Sequence, residues 1–161
     1  MRGSGKSTVA KLLADKLNRS LVETDWLIAQ QVGMSIADFV RINGWDAFRK
    51  IEHEVVTEVA AQDNLVISPG GGVLLDENNS KALKKNGTLI FLYAPLTILL
   101  QRIGTDKARP SLTGDQDMAK DLEETWKIRE PLYKKAADTT IDTENKSTSE
   151  VANQIIKSLD F

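Results

Sequence analysis

Cysteine is absent from the chain and histidine occurs once, at His53. The missing thiols exclude disulfides and thiolate metal sites and fit a reducing compartment. With a single imidazole, zinc centres of the usual kind are not expected either. No apolar run approaches the ~20 residues needed to cross a bilayer. Met1-Arg2-Gly3 leads straight into a loop motif rather than the apolar core of a signal peptide. An excess of one charge is also missing: 21 Lys and Arg stand against 23 Asp and Glu, a formal net charge of -2. That balance gives no case for general binding to nucleic acid or to an anionic membrane, so any basic site must be local. The chain has neither internal repeats nor low-complexity tracts, and its 161 residues suffice for one domain with a sizeable core. A soluble, cytosolic, single-domain protein is expected.

What is present begins at the first residues. Gly3-Ser4-Gly5-Lys6-Ser7-Thr8 is followed at once by the helical rhythm of Val9, Ala10, Leu12, Leu13 and Leu17. This pattern reads as a phosphate loop: glycines let backbone N–H groups turn inward on the phosphates, Lys6 reaches the terminal phosphates, and the Ser7 hydroxyl ligates Mg²⁺. The helix starting beside Lys6 would aim its unpaired N–H groups and positive dipole end at the same anion. The bland alternative is a glycine-containing cap before an amphipathic helix. The full pattern G-x-x-x-x-G-K-[ST] also requires a first glycine one place upstream of Met1 and a strand before it. Met1 is therefore expected to be an internal methionine or a misassigned start, with about eight to ten upstream residues forming an apolar strand that ends in Gly.

Downstream, residues 19–25 read as a strand whose C-terminal end carries Glu23 and Asp25, and in an open α/β sheet that end faces the ligand crevice. If both were extended they would point to one face; a merely polar turn is the other reading. Two short helical pieces follow, broken near Gly33 and Gly44, with Ser35 as an N-cap. Residues 46–62 form a longer amphipathic helix in which Arg49 and Glu52, three apart, could pair, functionally or as ordinary surface residues. His53 beside them reads as a solvated or partly packed helix residue. The apolar strand 64–68 runs into Pro69-Gly70-Gly71-Gly72, which either presents bare N–H groups to a ligand or is a flexible turn. No Asp closes this strand, which leaves Glu23 and Asp25 as the metal-side carboxylates. A crossover helix at 80–85, a strand at 88–93, a helix at 96–103 ending near Arg102, a polar stretch at 104–115 of lid character, a helix at 118–137 interrupted or kinked near Pro131, a strand at 139–142 and a closing helix at 149–159 complete the chain. Strands alternating with helices argue a parallel sheet covered on both faces.

Taken together, these stretches resemble shikimate kinase from Met1 to the last helix. The resemblance rests on Gly3-Ser4-Gly5-Lys6-Ser7-Thr8, Glu23-Thr24-Asp25, Gly33 to Ala37, Phe48-Arg49-Lys50-Ile51-Glu52, Gly70-Gly71-Gly72, Arg109-Pro110 and Arg129-Glu130-Pro131-Leu132-Tyr133. The first motif is common to many NTPases, whereas the ordered combination is specific to this family. It implies a P-loop, nucleoside-monophosphate-kinase-like α/β fold: a five-stranded parallel sheet ordered 2-3-1-4-5 with strand 1 truncated, helices on both faces, a substrate-binding region at about 23–62 and a lid at about 105–116. It also implies ATP and Mg²⁺ as cofactors and shikimate as substrate. By position, Lys6 looks like the phosphate-contacting lysine, Ser7 like the Mg²⁺ ligand, and Gly3, Ser4, Gly5 and Thr8 like the rest of the nucleotide loop. Asp25 resembles the carboxylate on the acceptor hydroxyls, and Gly70, Gly71 and Gly72 the backbone cradle. Arg49 and Arg129 match the pair that grips the substrate carboxylate, a task suited to planar bidentate guanidinium groups. Arg109 resembles the lid arginine that closes over the transferring phosphate, and Arg102 the one that stacks on adenine.

Two positions depart from the family. Glu23 stands where the family usually has Asp, in the position associated with the metal's water shell, and it is one methylene longer. Pro69 replaces a small residue. The expectation is an ATP-dependent kinase forming shikimate 3-phosphate for aromatic amino-acid biosynthesis, a monomer or part of a longer polypeptide, with no nucleic-acid or membrane partner. The alternatives are a kinase of another small hydroxy acid such as gluconate, or a shikimate-kinase-like binding or regulatory module without catalysis.

Overall fold

The computed structural model describes residues 1–104 and 118–159. The expected lid, with Arg109, lies outside the described residues. The chain forms two compact units: Ala10–Thr88 is one, and Met1–Val9 together with the chain from Leu89 onward is the other.

In the unit Ala10–Thr88, strand β1 (Ser20–Glu23) runs parallel to β2 (Leu65–Ser68), with Ser20 opposite Leu65 and Glu23 opposite Ser68. Between them lie α2 (Thr24–Val32) and α3 (Ile36–Ala60). Gly33 closes α2 in the left-handed region at φ 70°, where it returns its N–H to the Ala29 carbonyl. Ser35 opens α3 by accepting the Asp38 N–H at 3.1 Å, as its N-cap pattern predicts. At Gly44 (φ 81°, ψ 168°) α3 kinks, so the two helical pieces predicted around this glycine meet end to end. Ile28, Phe48, Val55 and Val59 are buried together, with Val22, Leu65 and Ile67 of the strands packed against them. Each such side chain, once buried, contributes about 1.5–3 kcal/mol, and this patch fixes α2 and α3 on the strand pair. A 3₁₀ turn (Val73–Leu75) follows the glycines and leads into α4 (Glu77–Asn86), capped by Asp76.

The β1 boundary differs from the sequence reading. The strand stops at Glu23 and α2 begins at Thr24, so Asp25 occupies the first turn of a helix rather than extended backbone. Glu23 and Asp25 therefore do not share a strand face. A carboxylate in a first helical turn is favoured by the dipole, which explains why Thr24-Asp25 opens a helix as readily as it ends a strand.

In the other unit, β3 (Ile90–Tyr93) runs parallel to β4 (Thr139–Asp142), and the helices are α5 (Leu96–Gly104), α6 (Met118–Ala136) and α7 (Thr148–Ser158). Phe91 packs its ring on Tyr133 (centroids 5.2 Å apart) and Trp126 (6.3 Å), which ties β3 to α6. Pro131 sits inside α6 on its exposed side. Helix α1 (Lys6–Leu17) starts in this unit and continues into Ala10–Thr88. The pairs β1–β2 and β3–β4 correspond to the pairs 2-3 and 4-5 of the predicted order. Among the described residues no strand precedes the glycine loop.

Candidate active site

The N-terminal loop has the backbone of a phosphate cradle. Gly3 and Gly5 both lie at positive φ, 72° and 79°, which side chains resist. A Cβ on Gly3 would meet the Leu99 carbonyl at 3.0 Å and Ile103 Cγ1 at 3.1 Å, so this glycine is required by contact as well as by conformation. Around Gly5 a Cβ would meet nothing within 4 Å among the described residues. Ser4 is buried and donates its hydroxyl to the Met1 carbonyl at 2.9 Å, while α1 starts at Lys6 with Val9 N–H bonded to Gly5 O at 2.9 Å. Ser7 and Thr8 follow, exposed, in the first turn. That leaves the helix N-terminus able to receive an anion through backbone N–H groups and dipole.

Arg102, on the last turn of α5, crosses to this loop. Its guanidinium reaches Gly3 O at 3.4 Å and holds Thr143 twice, at Oγ1 (3.0 Å) and at the carbonyl (2.7 Å). Thr143 is itself buried after β4 and donates its hydroxyl to Tyr93 O at 3.0 Å. Arg129, on α6, hydrogen-bonds Tyr133. The Met1 amino group is pushed down to about 5, by burial first and then by the charges of Lys6 and Arg129.

The Ala10–Thr88 unit gathers a second set. Gly70 follows β2 and donates its N–H to the hydroxyl of Thr24, which is fully buried, at 3.0 Å. Asp25, next along α2, lies over Gly70 so closely that a Cβ there would collide with its carboxylate. Arg49, on α3, stands the same way over Gly72: a Cβ would come 2.6 Å from Nη2 and 2.7 Å from Nη1. The guanidinium is anchored by Glu52 Oε2 at 2.5 Å and stacked against Trp45 (5.3 Å) and Phe48 (5.2 Å). A carboxylate and a guanidinium thus border one glycine turn, a hydrogen-bond acceptor beside a forked donor.

Donors for a metal are hard oxygens. Glu23 pairs in register with Ser68, whose buried hydroxyl has no hydrogen-bond partner among the described residues. Among those residues no three His, Cys, Asp or Glu side chains form a ligand group. Oxygen donors of this kind fit Mg²⁺, which binds through one or two protein oxygens plus phosphate and water.

The shikimate kinase family model matches residues 2–160. The chain belongs to the shikimate kinase family. Among its curated kinase relatives, the shikimate kinase of Mannheimia succiniciproducens is 35% identical over 158 residues, 98% of this chain and 90% of that protein. That of Caldanaerobacter subterraneus subsp. tengcongensis is 39% identical over 155 residues, 96% of this chain and 90% of its own. A solved shikimate kinase from Acinetobacter baumannii, in complex with shikimate, superposes with a TM-score of 0.89 at 33% identity, covering 98% of this chain and 87% of that one. The P-loop kinase fold expected from the sequence is the fold of this shikimate kinase family member.

Of the residues singled out in the sequence, the fold brings together Asp25 with Gly70, Arg49 with Gly72 and Glu52, and Arg102 with Gly3. Gly71 lies between the two contacted glycines. Arg129 and Lys6 belong to the other unit, and Arg109 lies outside the described residues. Sequence reasoning missed Thr24, Thr143 and Asn79, because each acts through a partner far along the chain. No helix among the described residues is long and apolar enough to cross a membrane.

Proposed function

We propose that this kinase transfers the γ-phosphoryl group of ATP to the 3-hydroxyl of shikimate, with residues 1–161 working as one shikimate-kinase-like domain. The observation that carries the substrate reading is the turn Gly70–Gly72 bordered by Asp25 on one side and Arg49 on the other. Shikimate offers both complements, ring hydroxyls for the carboxylate and its own carboxylate for the guanidinium. Asp25 would orient the 3-hydroxyl and accept its proton as the oxygen bonds to the γ-phosphorus and the bond to ADP breaks. Arg49 and Arg129 would share the substrate carboxylate, and the backbone of Gly70, Gly71 and Gly72 would line its ring.

On the nucleotide side, Gly3, Ser4, Gly5, Lys6, Ser7 and Thr8 would hold the phosphates, Lys6 as the charge on the terminal groups. Arg102 would lie along the adenine, and Arg109 would close on the transferring phosphoryl group. Ser7 and Glu23 would hold Mg²⁺, which when bound neutralises charge on the β- and γ-phosphates. Most of the barrier reduction in such a site comes from positioning and charge neutralisation rather than covalent chemistry.

The test is a coupled assay of ADP release with shikimate, quinate and gluconate as acceptors, with and without Mg²⁺. Turnover is expected with shikimate in the presence of Mg²⁺. Turnover of gluconate but not shikimate would replace the substrate, and ATP binding without shikimate-dependent ADP release would make the chain a binding module.

A further inference from the structure

The glycine turn is pinned at both ends by side chains that are completely buried. At its start, Gly70 N–H is held by Thr24; at its end, the Val73 carbonyl accepts from Asn79 Nδ2 at 3.1 Å. Inside the turn, Val73 N–H bonds Gly70 O at 3.1 Å and Leu75 N–H bonds Gly72 O at 3.0 Å, so the segment that starts at Val73 is tied to both glycines. Asn79 lies in the first turn of α4 and has only one orientation that works. Because its Nδ2 donates to Val73, its Oδ1 must accept, and the group facing it at 2.8 Å is His53 Nδ1. The imidazole must therefore carry its hydrogen on Nδ1. Asp76 Oδ2, at 3.7 Å from the same nitrogen, is beyond hydrogen-bond length, and its other oxygen caps α4 through Asn78 N–H at 2.8 Å.

We infer that Asn79, oriented by His53, is a positioning residue for the substrate turn. The Asn79 amide is the link between α3, which carries Arg49, and the turn over which Arg49 stands. His53 is one residue beyond Glu52 on the same helix, so the anchor of the guanidinium and the anchor of the turn share one stretch of backbone. Losing the Nδ1–H would leave a buried amide oxygen unsatisfied and free the amide to rotate, which releases the Val73 carbonyl. The glycines would then drift relative to Asp25 and Arg49. The phosphate loop, built from other residues, would not be affected.

This inference rests on reading Gly70–Gly72 as the shikimate cradle, and the experiment separates the two. Steady-state kinetics for shikimate and for ATP are measured on the full chain and on His53→Leu, His53→Asn and Gly72→Ala, with thermal midpoints alongside. His53 is partly exposed, so its variants should fold. His53→Leu is expected to raise the shikimate KM roughly three- to tenfold with the ATP KM unchanged. His53→Asn, whose Nδ2 occupies the place of imidazole Nδ1, should restore it to within about twofold. A lowered midpoint with the parental shikimate KM in His53→Leu would reduce the pair to a structural contact and overturn the inference. So would equal rises in both KM values, or no rescue by Asn. If Gly72→Ala itself leaves shikimate kinetics untouched, the cradle reading falls and this inference with it; if Gly72→Ala raises the shikimate KM and His53→Leu does not, only the positioning role is lost.

Discussion

Arg49 Nη1 lies 2.5 Å from Glu52 Oε2 across one turn of α3, and the two side chains differ sharply in exposure, 26% for the arginine against 2% for the glutamate. The buried carboxylate fixes the guanidinium from behind, and Trp45 and Phe48 fix its plane. An arginine held this way loses little freedom on meeting an anion.

Arg49→Lys should therefore weaken shikimate binding and leave ATP binding nearly intact. Replacing a forked donor by a point charge costs on the order of 1–3 kcal/mol, or roughly 5- to 150-fold in affinity. Titration calorimetry with each substrate checks this, and an unchanged shikimate affinity would remove Arg49 from the carboxylate clamp.

At Gly70→Ala the added methyl would collide with the Asp25 carboxylate, the far end of a flexible side chain. Such a group can swing aside at little cost to folding. The expected result is a large fall in kcat with a small change in thermal midpoint; a stability loss with parental kcat would mean that Asp25 need not hold its place over the turn.

Glu23→Asp shortens the carboxylate at the end of β1 by one methylene. If Glu23 serves the metal's water shell, activity at limiting Mg²⁺ should be equal or higher, because the ion tolerates little distortion of its octahedron. Activity measured across a Mg²⁺ titration decides it. A strong loss would show that this chain has built its metal shell around the longer side chain.

Thr143→Val keeps the shape of a buried residue and removes the hydroxyl that links Arg102 to Tyr93 O. The bonds from Arg102 to the backbone carbonyls of Thr143 and Gly3 are left in place. The ATP KM is expected to rise while the shikimate KM stays put. The opposite split, seen in the same assay, would place Arg102 outside nucleotide binding.

Burial raises the Tyr133 hydroxyl above its ordinary value of 10.0, although Arg129 draws it the other way. The folded state thus holds the phenol proton more tightly than the unfolded chain does. Stability from this source is complete below about pH 10 and is lost as pH rises through the higher folded value. Thermal midpoints followed from about pH 9 to 11 should fall less steeply in Tyr133→Phe than in the parent, after allowing for any constant offset. Parallel curves would mean that another group carries the alkaline loss.

The phosphate loop, the Gly33 and Gly44 breaks, the Ser35 cap and the alternation of strands and helices were legible because each is written in neighbouring residues. Glycine conformations and caps are local chemistry. The end of β1 was not, since Glu23-Thr24-Asp25 suits a strand end and a helix start equally; what separates them is the Thr24 hydroxyl meeting Gly70 N–H, 46 positions away. Arg49 and Glu52 were legible as a possible pair, but only packing distinguishes a buried anchor from a surface one. His53 read as an ordinary helix residue because its partner Asn79 comes 26 positions later, on an element with no spacing rule connecting the two.

The division of the chain also bears on how this enzyme can be altered. Asp25, Arg49 and the three glycines all fall within the continuous span Ala10–Thr88, whereas the nucleotide loop, Arg102 and Arg129 come from the flanking segments. The residues proposed to hold the acceptor can therefore be exchanged with those of a relative through two splice junctions, one within α1 and one before β3. With the roles proposed for these residues, a chimera cut at those places is expected to inherit its acid preference, apart from Arg129, from the insert, and its nucleotide preference from the host.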